Sequence, residues 1–130
     1  EDQIPYDLSP LARCLVGADH VSVAALRDFS EAFRPCGFRG LAAFAPCYGL
    51  AEHTLLVCAS APGGPNRGGG AIRVVRAELR GAAAPGGRLT PGPAELVGLG
   101  GAPPGVDVRI VDPDTCRPLE ALHVGEVWVR

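Results

Sequence analysis

The apolar positions of this chain change rhythm along its length, and each rhythm predicts a different element. Residues 11–16 (LARCLV) are a short apolar run closed by Gly17, the pattern of a buried strand. From Ser22 the spacing lengthens. Leu26, Phe29 and Phe33 fall at i, i+3 and i+7, which predicts a helix with Ser22 as its N-cap, reaching Phe33. Arg27, Asp28 and Glu31 then sit on its solvent side, and Pro35 and Gly37 stop it. A second apolar run, residues 41–44, leads through Pro46 into Tyr48 and Gly49. Leu55, Leu56 and Val57 within residues 52–59 fit a helix turn or a strand start, and periodicity does not choose between them. From Val106 the period becomes two, with Val106, Val108 and Ile110 alternating with Asp107 and Arg109. Asp112-Pro113-Asp114-Thr115 has turn chemistry, and residues 124–129 (VGEVWV) form a second strand able to pair with the first as a hairpin.

Between these halves the pattern breaks down. Residues 61–70 (APGGPNRGGG) and 81–93 (GAAAPGGRLTPGP) read as Gly/Pro-rich loops, with a more regular stretch from Ala71 to Leu79. The expected organisation is α/β over residues 1–60, a joint over 61–100 and antiparallel β over 101–130. A length of 130 residues with 47% hydrophobic content supports one modest core.

Charge and residue usage narrow the chemistry. The net charge is −2, so the chain has no basic footprint for nucleic acid or for an anionic membrane. All twelve cations are arginine. The absence of lysine excludes a GxxxxGK[ST] phosphate loop and lysine nucleophiles within these residues. Five cysteines at wide spacing, with no CxxC pair, do not make a zinc site; they read as reduced thiols and favour a cytoplasmic location. No apolar run reaches the roughly 18 residues a membrane span needs. Both ends read as cut edges. The Gly98-Leu99-Gly100-Gly101 stretch is a poor dinucleotide fingerprint, because Pro103 stands at its last position.

One set of segments carries chemistry. In order they are Gly17-Ala18-Asp19, Pro46-Cys47-Tyr48-Gly49-Leu50-Ala51-Glu52-His53-Thr54-Leu55, Gly101-Ala102-Pro103-Pro104-Gly105, Val111-Asp112-Pro113-Asp114-Thr115 and Val124-Gly125-Glu126-Val127-Trp128-Val129-Arg130. Taken from the residues alone, Tyr48 is a stacking ring or a buried aromatic, and Glu52 is a metal ligand or an exposed carboxylate at a helix start. The ordered set resembles the fatty-acyl-AMP ligases within the acyl-adenylate-forming superfamily, over nearly the whole chain.

That resemblance implies part of the large N-terminal domain of an enzyme joining a fatty acid to ATP as acyl-AMP. The acyl group would then pass to an acyl-carrier-protein thiol or to CoA. It further implies a nucleotide site made by Gly17, Ala18, Asp19, Tyr48, Gly49, Leu50 and Ala51, with Glu52 on the Mg²⁺ that accompanies ATP. Tyr48 would stack on adenine, and Gly49 would turn sharply and come close to the nucleotide. Ala51 stands where acyl-CoA ligases usually carry threonine. Asp19 replaces a glutamate and His20 a proline, while His53 reads as a surface histidine. The segment 71–81 resembles the insertion that separates acyl-AMP from acyl-CoA ligases. The family's phosphate loop and catalytic lysine fall outside these residues. A non-catalytic adenylation-like binding module is the rival from another class.

Overall fold

Helix α1 (Val23–Phe33) begins where its capping chemistry begins. The Ser22 hydroxyl accepts the Ala25 N–H at 3.4 Å, satisfying one of the donors that a helix start leaves unpaired. Its inner face carries Val23, Leu26 and Ser30. Ser30 tolerates burial because its hydroxyl donates to the Leu26 carbonyl at 2.7 Å. A 3₁₀ turn over Arg34–Cys36 continues it, with Pro35 inside, and Gly37 at φ +82° ends it. The computed structural model describes residues 6–60, 72–79 and 84–130.

The helix connects two parallel strands. Strand β1 (Cys14–Val16) pairs with β2 (Phe44–Gly49) in parallel, with Leu15 opposite Ala45, and β3 (Leu56–Ala59) pairs with β2 antiparallel on its other side. The core lies between this sheet and α1. Val21, Leu26, Phe38, Ala43 and Phe44 are buried together. The Phe38 and Phe44 rings meet edge to face at 5.3 Å, and Phe29 reaches both. Such tilted pairs contribute beyond the area they bury, by about 0.5–1.5 kcal/mol each.

Two further sheets follow. Strands β4 (Val74–Glu78) and β5 (Thr90–Val97) form an antiparallel pair. Strand β6 (Val108–Asp112) lies between β7 (Arg117–Pro118) and β8 (Glu126–Val129), antiparallel to both. The fold is therefore α/β followed by antiparallel β, as the residues predict.

Three expectations need correction, and one open alternative is resolved. Only Cys14–Val16 of residues 11–16 is strand, and Leu15 is 72% exposed, because Cys14 and Val16 pack against the core cluster and strand alternation turns Leu15 to the opposite face. Residues 90–93, expected as loop, open β5. The register jumps there from Ala77↔Ala94 to Glu78↔Thr90, so Pro91, Gly92 and Pro93 form a bulge in which missing N–H donors cost no ladder bond. Residues 124–129 do pair with β6, but β7 intervenes, and the true hairpin is β6–β7. Its turn is closed by Asp112, whose carboxylate accepts the Asp114 and Thr115 N–H groups at 2.9 and 3.3 Å. Residues 52–59 divide into a 3₁₀ turn (Ala51–His53) and strand β3. Residues 61–70 lie outside the described residues.

Candidate functional site

The parallel pairing of β1 and β2 gives both strands the same direction, so their C-terminal ends emerge side by side. Residues 17–19 leave the end of β1, and residues 50–53 leave the end of β2. Two candidate segments 30 residues apart in sequence thus share one edge of one sheet, the edge where open α/β sheets hold ligands.

The contact between them is made by Gly17. An added Cβ there would stand 2.5 Å from the Cys47 carbonyl oxygen and 2.9 Å from its sulfur, so glycine is required for this close approach. The Cys47 thiol in turn donates to the Val16 carbonyl at 3.5 Å, a long contact that a sulfur donor permits. Ala18 follows at φ +69°, a left-handed conformation uncommon outside glycine, and strain of this kind gathers at functional segments. Asp19 is exposed, and its carboxylate accepts the His20 N–H at 2.6 Å.

Residues 48–55 are shaped by their own backbone. Leu50 donates to the Leu55 carbonyl at 2.9 Å, His53 to Leu50 at 3.2 Å and Leu55 to His53 at 2.6 Å. Thr54 completes the turn at φ +61°. Gly49 has no positive φ; it is the last residue of β2, and an added Cβ would overlap the Leu55 carbonyl oxygen. The sharp turn expected at Gly49 therefore falls at Thr54, and the glycine serves the β2–β3 bulge instead. Ala51 and Glu52 are exposed at the tip, Leu50 and His53 half-buried. Among the described residues no three His, Cys, Asp or Glu side chains gather to hold a metal. Glu52 can serve Mg²⁺ only as a single carboxylate completed by phosphate oxygens and water, which is an ordinary magnesium environment.

Tyr48 also borders a hollow of its own. It lies opposite Cys58 and the two line a hollow of about 670 Å³, closed on the far side by Leu99, Gly100, Val108 and Ile110. Neither residues 17–19 nor Glu52 line it. Burial pushes the Cys58 thiol above the usual cysteine range, partly offset by its backbone contact with Tyr48. The walls are the facing sides of two sheets, β2–β3 and β6–β8. Sequence reasoning missed the contribution of residues 99–102, having set the glycine cluster aside as a failed dinucleotide motif. The available signal was the glycine pair itself: Gly100, at φ +87°, passes so close to Ala59 that a side chain would overlap the backbone there. Gly101 then bonds to Ala59 in both directions, at 3.1 and 3.3 Å.

The comparison that decides the family covers every residue. Residues 1–130 match the AMP-binding enzymes. The chain belongs to that family. Among its relatives, a 4-hydroxyphenylalkanoate adenylyltransferase of Mycobacterium tuberculosis is 37% identical over all of this chain and 20% of its own length. A long-chain-fatty-acid–AMP ligase of Mycobacterium marinum is 34% identical, again over the whole chain and 22% of that protein. A solved fatty acyl-adenylate ligase from Legionella pneumophila, in complex with acyl adenylate and pyrophosphate, superposes with a TM-score of 0.78 at 34% identity. That match covers 95% of this chain and 21% of the ligase. This AMP-binding chain thus spans about a fifth of the length of its relatives. Its relatives and structural neighbours are acyl-adenylate-forming ligases, in agreement with the resemblance carried by residues 17–19 and 46–55.

Proposed function

We propose that this chain supplies part of the nucleotide site of an AMP-forming fatty acid ligase. The observation that carries the reading is the juxtaposition of residues 17–19 and 48–52 at the C-terminal ends of a parallel strand pair. In this reading the main chain of Gly17, Ala18 and Asp19 borders the adenine, and the Tyr48 ring stacks on it. Gly49, Leu50 and Ala51 carry the chain past the phosphates. Ala51 has no hydroxyl to offer there, which favours acyl-AMP as the released product. Glu52 would hold the Mg²⁺ of Mg·ATP, which when bound neutralises charge on the phosphates.

The reaction is attack by a fatty acid carboxylate oxygen on the α-phosphorus, with the bond to pyrophosphate breaking. The contribution of these residues is to bind and orient the nucleotide for in-line displacement. A carrier-protein thiol or CoA would receive the acyl group. Five free cysteines support a reducing compartment, for which the cytoplasm is the expected location; no helix among the described residues is long and apolar enough to cross a membrane.

The test is ATP affinity in the full-length protein carrying this sequence. Tyr48→Ala is expected to weaken Mg·ATP binding by about tenfold or more, within the range of one lost stacking contact. Equal affinity in the two proteins removes Tyr48 from the site. With fatty acid, ATP and Mg²⁺ supplied, acyl-AMP is expected to accumulate, and efficient acyl-CoA synthesis on adding CoA would assign a CoA ligase instead.

A further inference from the structure

The Gly/Pro-rich middle of the chain contains an electrostatic contact that ties three elements together. Glu95 on β5 receives Arg27 of α1 through two bonds, Nη1 to Oε2 at 2.9 Å and Nη2 to Oε1 at 3.3 Å. The same carboxylate receives Arg76 of β4, its direct cross-strand partner, at 3.1 Å. The Glu95 side chain is only 23% exposed, whereas the two arginines are 51% and 73% exposed. An isolated exposed ion pair contributes little, but a forked guanidinium–carboxylate contact shared by a third charge is the geometry in which such pairs do matter.

Its position gives it a task. Val97, two residues further on the same face of β5, packs against the aromatic core, and Gly98 donates to the Arg73 carbonyl at 2.7 Å. The chain then runs directly into residues 99–102, which wall the hollow at Tyr48 and bond to Ala59. We propose that Glu95 is a positioning residue. By engaging Arg27 and Arg76 together it fixes the β4–β5 pair on helix α1, and so sets where residues 98–102 sit against β3. Within the β4–β5 pair, Arg76 stiffens the ladder; Arg27 is the tie to the helix. The inference concerns placement of the wall and stands whether or not the site holds a nucleotide.

Amide hydrogen exchange on the full chain tests it, with the Gly101 and Ala59 amides as reporters. Glu95→Gln keeps shape and removes charge. It is expected to speed exchange at Gly101, Ala59 and β5 by about two- to fivefold, the span of exposed ion-pair energies. The β6–β8 ladder should be unchanged. Arg27→Gln should reproduce the effect at Gly101, and Arg76→Gln should act mainly within β4–β5. Raising NaCl toward 1 M should speed Gly101 exchange in the native chain and leave the Glu95→Gln chain flat, since screening can remove only a charge that is present. Unchanged Gly101 exchange in Glu95→Gln, or the same salt response in both chains, overturns the proposal. Should Glu95→Gln fold poorly, the salt series on Arg27→Gln set against the native chain decides the matter, the same response at Gly101 in both overturning the proposal.

Discussion

The two ends of this molecule solve the same burial problem to different degrees. Residues 6–60 supply the buried centre of a core: α1 covers one face of the β1–β2–β3 sheet, Phe38, Ala43, Phe44 and Val57 are buried there, and Ile72, Val97 and Leu99 pack against its margin. The β7–β6–β8 sheet buries Val111 alone, while Val108 and Ile110 are only half-buried and Val127 and Trp128 are 38% and 43% exposed. The difference lies in what stands opposite. A helix lies close over the first sheet and fills its face; across the second sheet's inner face lies an open hollow shared with Tyr48. Stability is therefore expected to reside in the first region and ligand-accessible apolar surface at the boundary of the two.

The sharpest way to break this comparison is Phe44→Ala. Loss of a buried ring from the aromatic cluster is expected to cost about 3–5 kcal/mol, enough to abolish a cooperative urea transition in a domain of marginal stability. Val111→Ala, in the second sheet, is expected to cost about 1–2 kcal/mol and leave that transition in place. Equal losses would mean that both regions share one core.

Next in size is Gly49→Ala. The added methyl meets backbone, the Leu55 carbonyl, and cannot be relieved by a rotamer change. A loss of about 1–3 kcal/mol is expected, with faster exchange confined to the β2–β3 ladder. Unperturbed β2–β3 amides would show that the bulge at Gly49 opens freely.

Glu52→Gln separates stability from function. The side chain is exposed, so the denaturation midpoint should stay within about 0.5 kcal/mol of the native value. In the full-length protein kcat/KM for Mg·ATP should fall at least about tenfold, or about 1.4 kcal/mol. An unchanged kcat/KM takes Glu52 off the metal.

The smallest expected effect is a pH dependence at the α1–β5 contact. The Arg27 and Arg76 guanidinium groups hold the Glu95 carboxyl below its usual range. A depressed carboxylate stabilises the fold above its unfolded pKa, and the stabilisation fades as pH falls through the folded value. Protection of the β5 amides, measured relative to the intrinsic exchange rate at each pH, should therefore fall on acidification below the usual carboxylate range while the aromatic core stays protected; a flat protection profile there contradicts the contact.

What the residues disclosed in advance follows the same division. The helix was legible because its determinants are local: a hydroxyl at Ser22, apolar spacing through Phe33, and a proline and glycine that stop it. The alternation at β6 and the Asp112 turn were legible for the same reason. The exposure of Leu15 was not, because an apolar run does not announce which of its two faces is covered. Residues 90–93 misled because proline and glycine mark both loops and bulges. Residues 17–19 and 48–52 stood out as a motif, but their meeting depended on β1 and β2 running parallel. The wall supplied by residues 99–102 depended on a close approach to Ala59 that no local pattern encodes.

The parallel pairing of β1 and β2 also orders events in time. A two-strand ladder such as β6–β7 closes a short stretch of chain, and hairpins of this kind form in about 1–10 microseconds. Cys14 can meet Phe44 only after the whole intervening crossover, α1 included, has folded back. Contacts so distant along the chain are slow to nucleate, because the loop entropy is lost before the pairing repays it. The edge where Gly17 meets Cys47 should then be among the later parts of the molecule to assemble. Refolding followed at the Cys47 thiol should lag behind refolding followed at the β6–β7 amides, so that binding competence arrives after most of the local structure is in place.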